Sequence, residues 1–230
     1  MKTIGLLGGM SWESTETYYR LINEGVKERL GGLHSARIAM VSVDFAPIEE
    51  LQAADDWETA GRVLAEAAEG IEAAGADFLV IATNTMHQVA PAIEAAIEIP
   101  LLHIADATAV PIRAAGVETV GLLGTAFTMD RDFYRGRLAE RHGLEVLVPE
   151  AEDRATVHRV IYDELVLGEI RDASRTEYLR IIDDLRRRGA SAVIEGCTEI
   201  SLLVKPEHTD VPLYDTTALH AAAAVEMALA

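Results

Sequence analysis

The chain holds a single cysteine, Cys197, within Val193-Ile194-Glu195-Gly196-Cys197-Thr198-Glu199-Ile200. An apolar run closing on Gly-Cys-Thr before a helical pattern predicts a buried parallel strand, a tight turn and a helix start. Ligands of open α/β sheets sit at the carboxyl ends of such strands. A thiol titrates at about 8.5 when unperturbed, and a helix N-terminus lowers that value. The position therefore predicts some thiolate near neutral pH. A lone cysteine is also often just a small buried hydrophobe. What favours chemistry is a second segment of the same plan: Ala74-Gly75-Ala76-Asp77-Phe78-Leu79-Val80-Ile81-Ala82-Thr83-Asn84-Thr85 parallels Arg188 to Glu199. In register, Thr83 falls opposite Cys197.

Two further pairs recur in the same order. Thr3-Ile4-Gly5-Leu6-Leu7-Gly8 matches Thr119-Val120-Gly121-Leu122-Leu123-Gly124, and Glu98-Ile99-Pro100-Leu101-Leu102 resembles Asp210-Val211-Pro212-Leu213-Tyr214. A slowly drifting offset across three pairs predicts a duplicated architecture, two similar lobes made of residues 1–97 plus 210–230 and residues 98–209. Facing strand ends across a cleft would bring Thr83 and Cys197 to one ligand from opposite sides. Inversion of a stereocentre by proton transfer needs that geometry, with a base on one face and a proton donor on the other.

The elements that must position these residues follow from patterning. Strands are expected over Lys2–Leu7, Arg37–Phe45, Phe78–Ile81, Pro100–Ile104, Thr119–Leu123, Leu144–Val148, the cysteine segment and Val211–Tyr214. Helical stripes lie between them, as in Tyr18, Leu21, Ile22 and Val26. Strands alternating with helices mean a parallel α/β fold. Gly8-Gly9-Met10-Ser11 ends the first strand with neither the glycine spacing of a dinucleotide fingerprint nor a P-loop lysine.

Composition narrows the partners. The 230 residues carry a formal net charge of −18, and half are hydrophobic. An acidic surface repels phosphate backbones and anionic membranes, so neither nucleic acid nor a membrane is an expected partner. The apolar runs stop short of the roughly 20 residues of a membrane span, and Met1–Gly8 lacks the features of a signal peptide. A cytoplasmic location is expected. One cysteine forms no internal disulfide framework, and the histidines show no metal-ligand spacing with it.

These motifs resemble the aspartate/glutamate racemase superfamily over essentially the whole chain. The family's first-lobe Cys-Asn-Thr stands here as Thr83-Asn84-Thr85, and its Gly-Cys-Thr as Gly196-Cys197-Thr198-Glu199. The fit is closest to a bacterial subgroup with Gly8-Gly9-Met10-Ser11-Trp12-Glu13-Ser14-Thr15, Asn84-Thr85-Met86-His87, His103-Ile104-Ala105-Asp106-Ala107-Thr108 and Leu123-Gly124-Thr125. The resemblance implies two pseudo-symmetric flavodoxin-like lobes with the active site in the cleft between them. It further implies a cofactor-independent amino-acid racemase, usually dimeric, in which Cys197 takes the α-proton of the L-substrate. By the same resemblance Thr125, Thr128, Asn84, Thr85 and Thr198 hold the substrate carboxylate, with Met10 and Gln52 nearby. Glu199 would orient the ammonium group or relay a proton, or serve only as a first-turn helix acid.

The chain departs from the family in two places. Thr83 replaces a cysteine, and a hydroxyl can at most donate or relay a proton where a thiolate would act. Glu49-Glu50 and Val166 stand where many aspartate racemases have an Arg and a Lys. Racemisation of L-aspartate or L-glutamate is the leading expectation. A single-thiol decarboxylase or other lyase needs only one proton donor, and a non-catalytic amino-acid-binding protein needs none.

Overall fold

The computed structural model describes residues 1–230. In chain order its elements are β1 (Ile4–Gly8), α1 (Trp12–Leu30), β2 (Ile38–Ser42), α2 (Phe45–Ala53), α3 (Trp57–Ala73) and β3 (Phe78–Ile81). A 3-10 turn over Thr85–Val89 leads to α4 (Ala90–Ala96) and α5 (Ile104–Ala114). Then come β4 (Thr119–Gly124), α6 (Ala126–Asp130), α7 (Asp132–His142), β5 (Glu145–Leu147), α8 (Ala151–Asp163) and α9 (Asp172–Arg187). The chain closes with β6 (Ala192–Gly196), α10 (Ile200–Leu203), β7 (Leu213–Asp215) and α11 (Thr216–Leu229). No helix is long and apolar enough to cross a membrane.

All strand pairs are parallel and form two sheets, ordered β2-β1-β3 and β5-β4-β6-β7. The chain divides into one unit of Met1–Ile104 with Thr217–Ala230 and another of Ala105–Thr216. Each crossing therefore falls seven residues later than the repeat places it, between 104 and 105 instead of 97 and 98, and between 216 and 217 instead of 209 and 210. The reason is strand pairing. Leu101 bridges Leu79 in the first sheet, and β7 hydrogen-bonds to β6 in the second. The expected strand over Pro100–Ile104 is reduced to that bridge, because α5 already begins at Ile104.

In the first unit the two faces of β1 and β3 build two cores, as period-2 alternation requires. Ile4, Leu6, Phe78 and Val80 pack with Tyr18, Ile22 and Val26 of α1 and Ala221, Ala224 and Val225 of α11. Leu7, Leu79 and Ile81 face Leu64, Ala68 and Ile71 of α3. The repeated glycine of the Thr-x-Gly-Leu-Leu-Gly segments has a packing cause. A Cβ on Gly5 would stand 2.6 Å from Ile71 Cγ2, and one on Gly121 would stand 2.9 Å from Leu185 Cδ1. Each lets a helix settle onto its sheet, so the duplication survives as a shared contact.

In the second unit Leu123 and Val193 pack against Val157, Val160 and Ile161 of α8 and Tyr178, Ile181, Ile182 and Leu185 of α9. Polar side chains are buried in this unit as well, Glu195 among them. Glu195 on β6 is 3 % exposed, its Oε1 has no hydrogen-bond partner, and Asp215 is its neighbour across the β6–β7 ladder. Burial, helped by the Asp215 charge, pushes its pKa up to about 8. The folded value exceeds the unfolded one, so this group's stabilising effect is present below the unfolded pKa and is lost as pH rises through 8. His220 acts with the opposite sign. Burial lowers its pKa to about 4, so its contribution is complete above the unfolded pKa and is lost as pH falls through 4. Glu195→Gln is expected to leave stability near pH 5 unchanged and to raise it near pH 8.5 by on the order of a few kcal/mol. Urea melts at the two pH values test this; equal shifts at both would refute it.

Candidate active site

The cysteine segment is placed by close backbone approach. β4 and β6 end side by side, with Gly124 opposite Gly196 in the ladder. A Cβ on Gly196 would stand 2.9 Å from the Leu123 carbonyl oxygen, and one on Gly124 would stand 3.0 Å from that of Gly196. Glycine at both positions lets the two strand-end loops meet. After β4, Thr125 caps α6: its Oγ1 accepts from the Thr128 amide at 3.3 Å, and the two hydroxyl oxygens are 3.3 Å apart. The Thr128 side chain packs against both glycines. His158 of α8 accepts from the Ala126 amide at 3.2 Å, and burial holds its pKa down, favouring the neutral acceptor. Sequence reading missed this residue, since a single histidine in an amphipathic helix carries no signal of its own.

Cys197 follows β6 and is half-buried. Its thiol donates to Glu199 Oε2 at 2.9 Å. Burial raises the thiol pKa well above its ordinary value, the Glu199 charge and hydrogen bond add to this, and the Glu199 backbone N–H opposes it. The expected lowering by a helix N-terminus is thus overturned. α10 has only 4 residues, a single turn with little dipole to offer. A carboxylate beside a half-buried sulfur outweighs it. Thr198 accepts at its carbonyl from the Ser201 hydroxyl at 3.0 Å, which closes the turn.

In the first unit, Gly8-Gly9-Met10-Ser11 leaves β1 through a conformation that requires glycine. Gly9 has φ +93°, and a Cβ there would lie 2.1 Å from the Val43 carbonyl oxygen. Its amide donates to Thr15 Oγ1 at 2.7 Å, Ser11 caps α1, and the Ser14 hydroxyl donates to the Ala82 carbonyl at 3.0 Å. That last bond ties the loop to the end of β3, where Thr83 is half-buried and Asn84 and Thr85 are buried. The Thr83 carbonyl accepts from His87 Nδ1 at 2.8 Å. Met10 belongs to the same apolar cluster as Met86, and the Gln52 amide lies 2.8 Å from the Met86 sulfur. Met10, Gln52, Thr83, Asn84 and Thr85 therefore belong to the first unit, and Thr125, Thr128, Cys197, Thr198 and Glu199 to the second.

The chemistry available is that of a thiol with a carboxylate partner beside hydroxyls and turn amides. Glu49 and Glu50 lie exposed on α2, and Val166 lies in the turn after α8, so none supplies a cation for a distal carboxylate. No group of three His, Cys, Asp or Glu side chains is arranged to hold a metal ion. The sequence profile of the Asp/Glu/Hydantoin racemase family matches residues 7–224.

The chain belongs to the Asp/Glu/hydantoin racemase family. It superimposes on the crystal structure of a candidate Asp/Glu racemase from Yersinia pestis with a TM-score of 0.95 and 56 % identity, covering all of both chains. An aspartate racemase homologue from Pyrococcus horikoshii OT3 gives a TM-score of 0.88 and 34 % identity, again over all of both chains. The broad specificity amino-acid racemase RacX of Bacillus subtilis (strain 168) is 23 % identical over 99 % of this chain and 98 % of its own. The two parallel sheets flanked by helices are the two-lobed fold of these racemases, and the family's reaction class is isomerisation.

Proposed function

We propose that the protein is a cofactor-independent racemase of acidic amino acids, aspartate or glutamate. The observation that carries this reading is the Cys197 thiol held 2.9 Å from Glu199 at the end of β6. In the L-to-D direction the thiol proton passes to Glu199, and the resulting thiolate takes the α-proton. The electron pair of the broken Cα–H bond spreads into the carboxylate. Thr83, directly or through a water, returns a proton to the opposite face. Hydroxyls and amides of Asn84, Thr85, Thr125, Thr128 and Thr198 would stabilise the developing enolate charge, where most of the barrier must fall. Met10 and Gln52 would lie near the substrate. The proposed protein is a cytoplasmic homodimer.

Proton NMR in deuterated water tests the activity. With L-aspartate or L-glutamate, loss of the α-proton signal together with inversion is the expected result. Loss without inversion indicates a one-base site, and carbon dioxide release from malonate-type acids indicates a lyase; Thr83 in place of a second thiol is the observation favouring that second reading. Binding without exchange indicates a non-catalytic protein.

The Thr/Cys asymmetry gives a further prediction. Enantiomers are equally stable in water, so kcat/KM must be equal in the two directions. Thr83→Cys supplies a thiol on the second face and should raise kcat/KM about 100-fold in both directions, the lower end of the usual range for a positioned general acid or base. Polarimetric rates from each enantiomer measure this, and an unchanged kcat/KM would count against Thr83 as the second group.

A further inference from the structure

Three histidines of the first unit lie against one another away from solvent. His87, His103 and His220 are 1 %, 3 % and 0 % exposed. The His87 ring centroid is 4.5 Å from that of His103 and 5.8 Å from that of His220. Hydrogen bonds assign the proton on two of them. His87 Nε2 accepts from the Ile104 amide at 3.2 Å, so its proton is on Nδ1, which donates to the Thr83 carbonyl at 2.8 Å. His220 Nε2 donates to the Leu102 carbonyl at 2.8 Å, while its Nδ1 accepts from the Tyr18 hydroxyl at 2.9 Å.

The placement of these bonds matters more than their number. Leu102 and Ile104 flank His103 in the segment by which the chain leaves the first unit, and His220 stands just after its return. A chain of fixed tautomers thus runs from Tyr18 through both crossing segments to the carbonyl of Thr83. That carbonyl belongs to the residue on which the second proton transfer is proposed to depend. An aliphatic side chain at position 87 would fill the same buried space, but it would leave the Thr83 carbonyl without this donor.

We propose that His87 is a positioning residue: its Nδ1–H holds the Thr83 carbonyl and so sets the direction of the Thr83 hydroxyl and of the Asn84-Thr85 turn behind it. This deepens the racemase reading and rests on it.

Three variants of the full chain separate positioning from mere packing. His87→Asn places an amide N–H near the site of Nδ1 and keeps the donation to Thr83. His87→Gln reaches further and keeps a polar partner for the Ile104 amide. His87→Leu keeps neither. For L-to-D turnover, His87→Leu and His87→Gln should lose about 30-fold in kcat with KM within about twofold, and His87→Asn should stay within about threefold of the parent, the scale expected when a reacting group is misplaced by a fraction of an ångström. The Gln and Asn variants should melt together. Equal kcat in the Asn and Gln variants, or parental kcat in His87→Leu, would overturn the positioning role while leaving the racemase reading intact. A parent enzyme that exchanges no α-proton would end both, and the parent measurement alone decides that.

Discussion

Cys197→Ser should lower racemisation of either enantiomer by at least about 10³-fold, the scale on which loss of a positioned proton-transfer group is felt. Serine keeps the geometry and the ability to donate to Glu199, but an alcohol is a far weaker acid than a thiol, so its conjugate base is not populated when it must act. The fold should survive. Cys197 is only half-buried, and exchanging sulfur for oxygen at the edge of its apolar cluster costs on the order of 1 kcal/mol. Progress curves from purified L- and D-substrate, paired with thermal melts, separate lost chemistry from lost structure. A variant keeping a tenth of the parental rate would remove Cys197 from the mechanism.

Glu199→Gln should move two observables in opposite directions. The Glu199 carboxylate is among the causes that raise the thiol pKa, and it is also the acceptor of the thiol proton. Neutralising it lowers the thiol pKa, so the thiolate fraction at neutral pH rises. Because Cys197 is the only cysteine, its alkylation by iodoacetamide reports that fraction without ambiguity. Alkylation at pH 7 should therefore become faster, and the rising limb of kcat/KM for the L-substrate should shift to lower pH. Turnover should nevertheless fall about 100-fold, because the amide cannot take the proton in each cycle. If alkylation and turnover rise or fall together, Glu199 only tunes the thiol and does not carry its proton.

Much of this protein was legible before folding was considered. Alternation of apolar runs with helical stripes named a parallel α/β fold, and the repeated Thr-x-Gly-Leu-Leu-Gly named the duplication. The glycines at 5 and 121 repeat because each admits a helix at close range. The strand-end position of Cys197 was legible for the same reason: strand, turn and helix start are local patterns written in neighbouring residues. The unit boundaries were less so, because Leu101 and Leu213 look alike in sequence yet each completes a pairing that moves its crossing later in the chain.

What the sequence by itself determined is the fold, the family and the neighbourhood of the thiol. Only the tertiary structure decided how acidic that thiol is, that Glu195 lies buried with an unpaired oxygen, and that His87 holds Thr83 while accepting from Ile104. The physical reason is one of range. Propensity and periodicity act over a few residues, whereas desolvation and hydrogen bonding depend on which atoms arrive together. The bond between His220 and Leu102 spans 118 residues of chain, and no local pattern announces it.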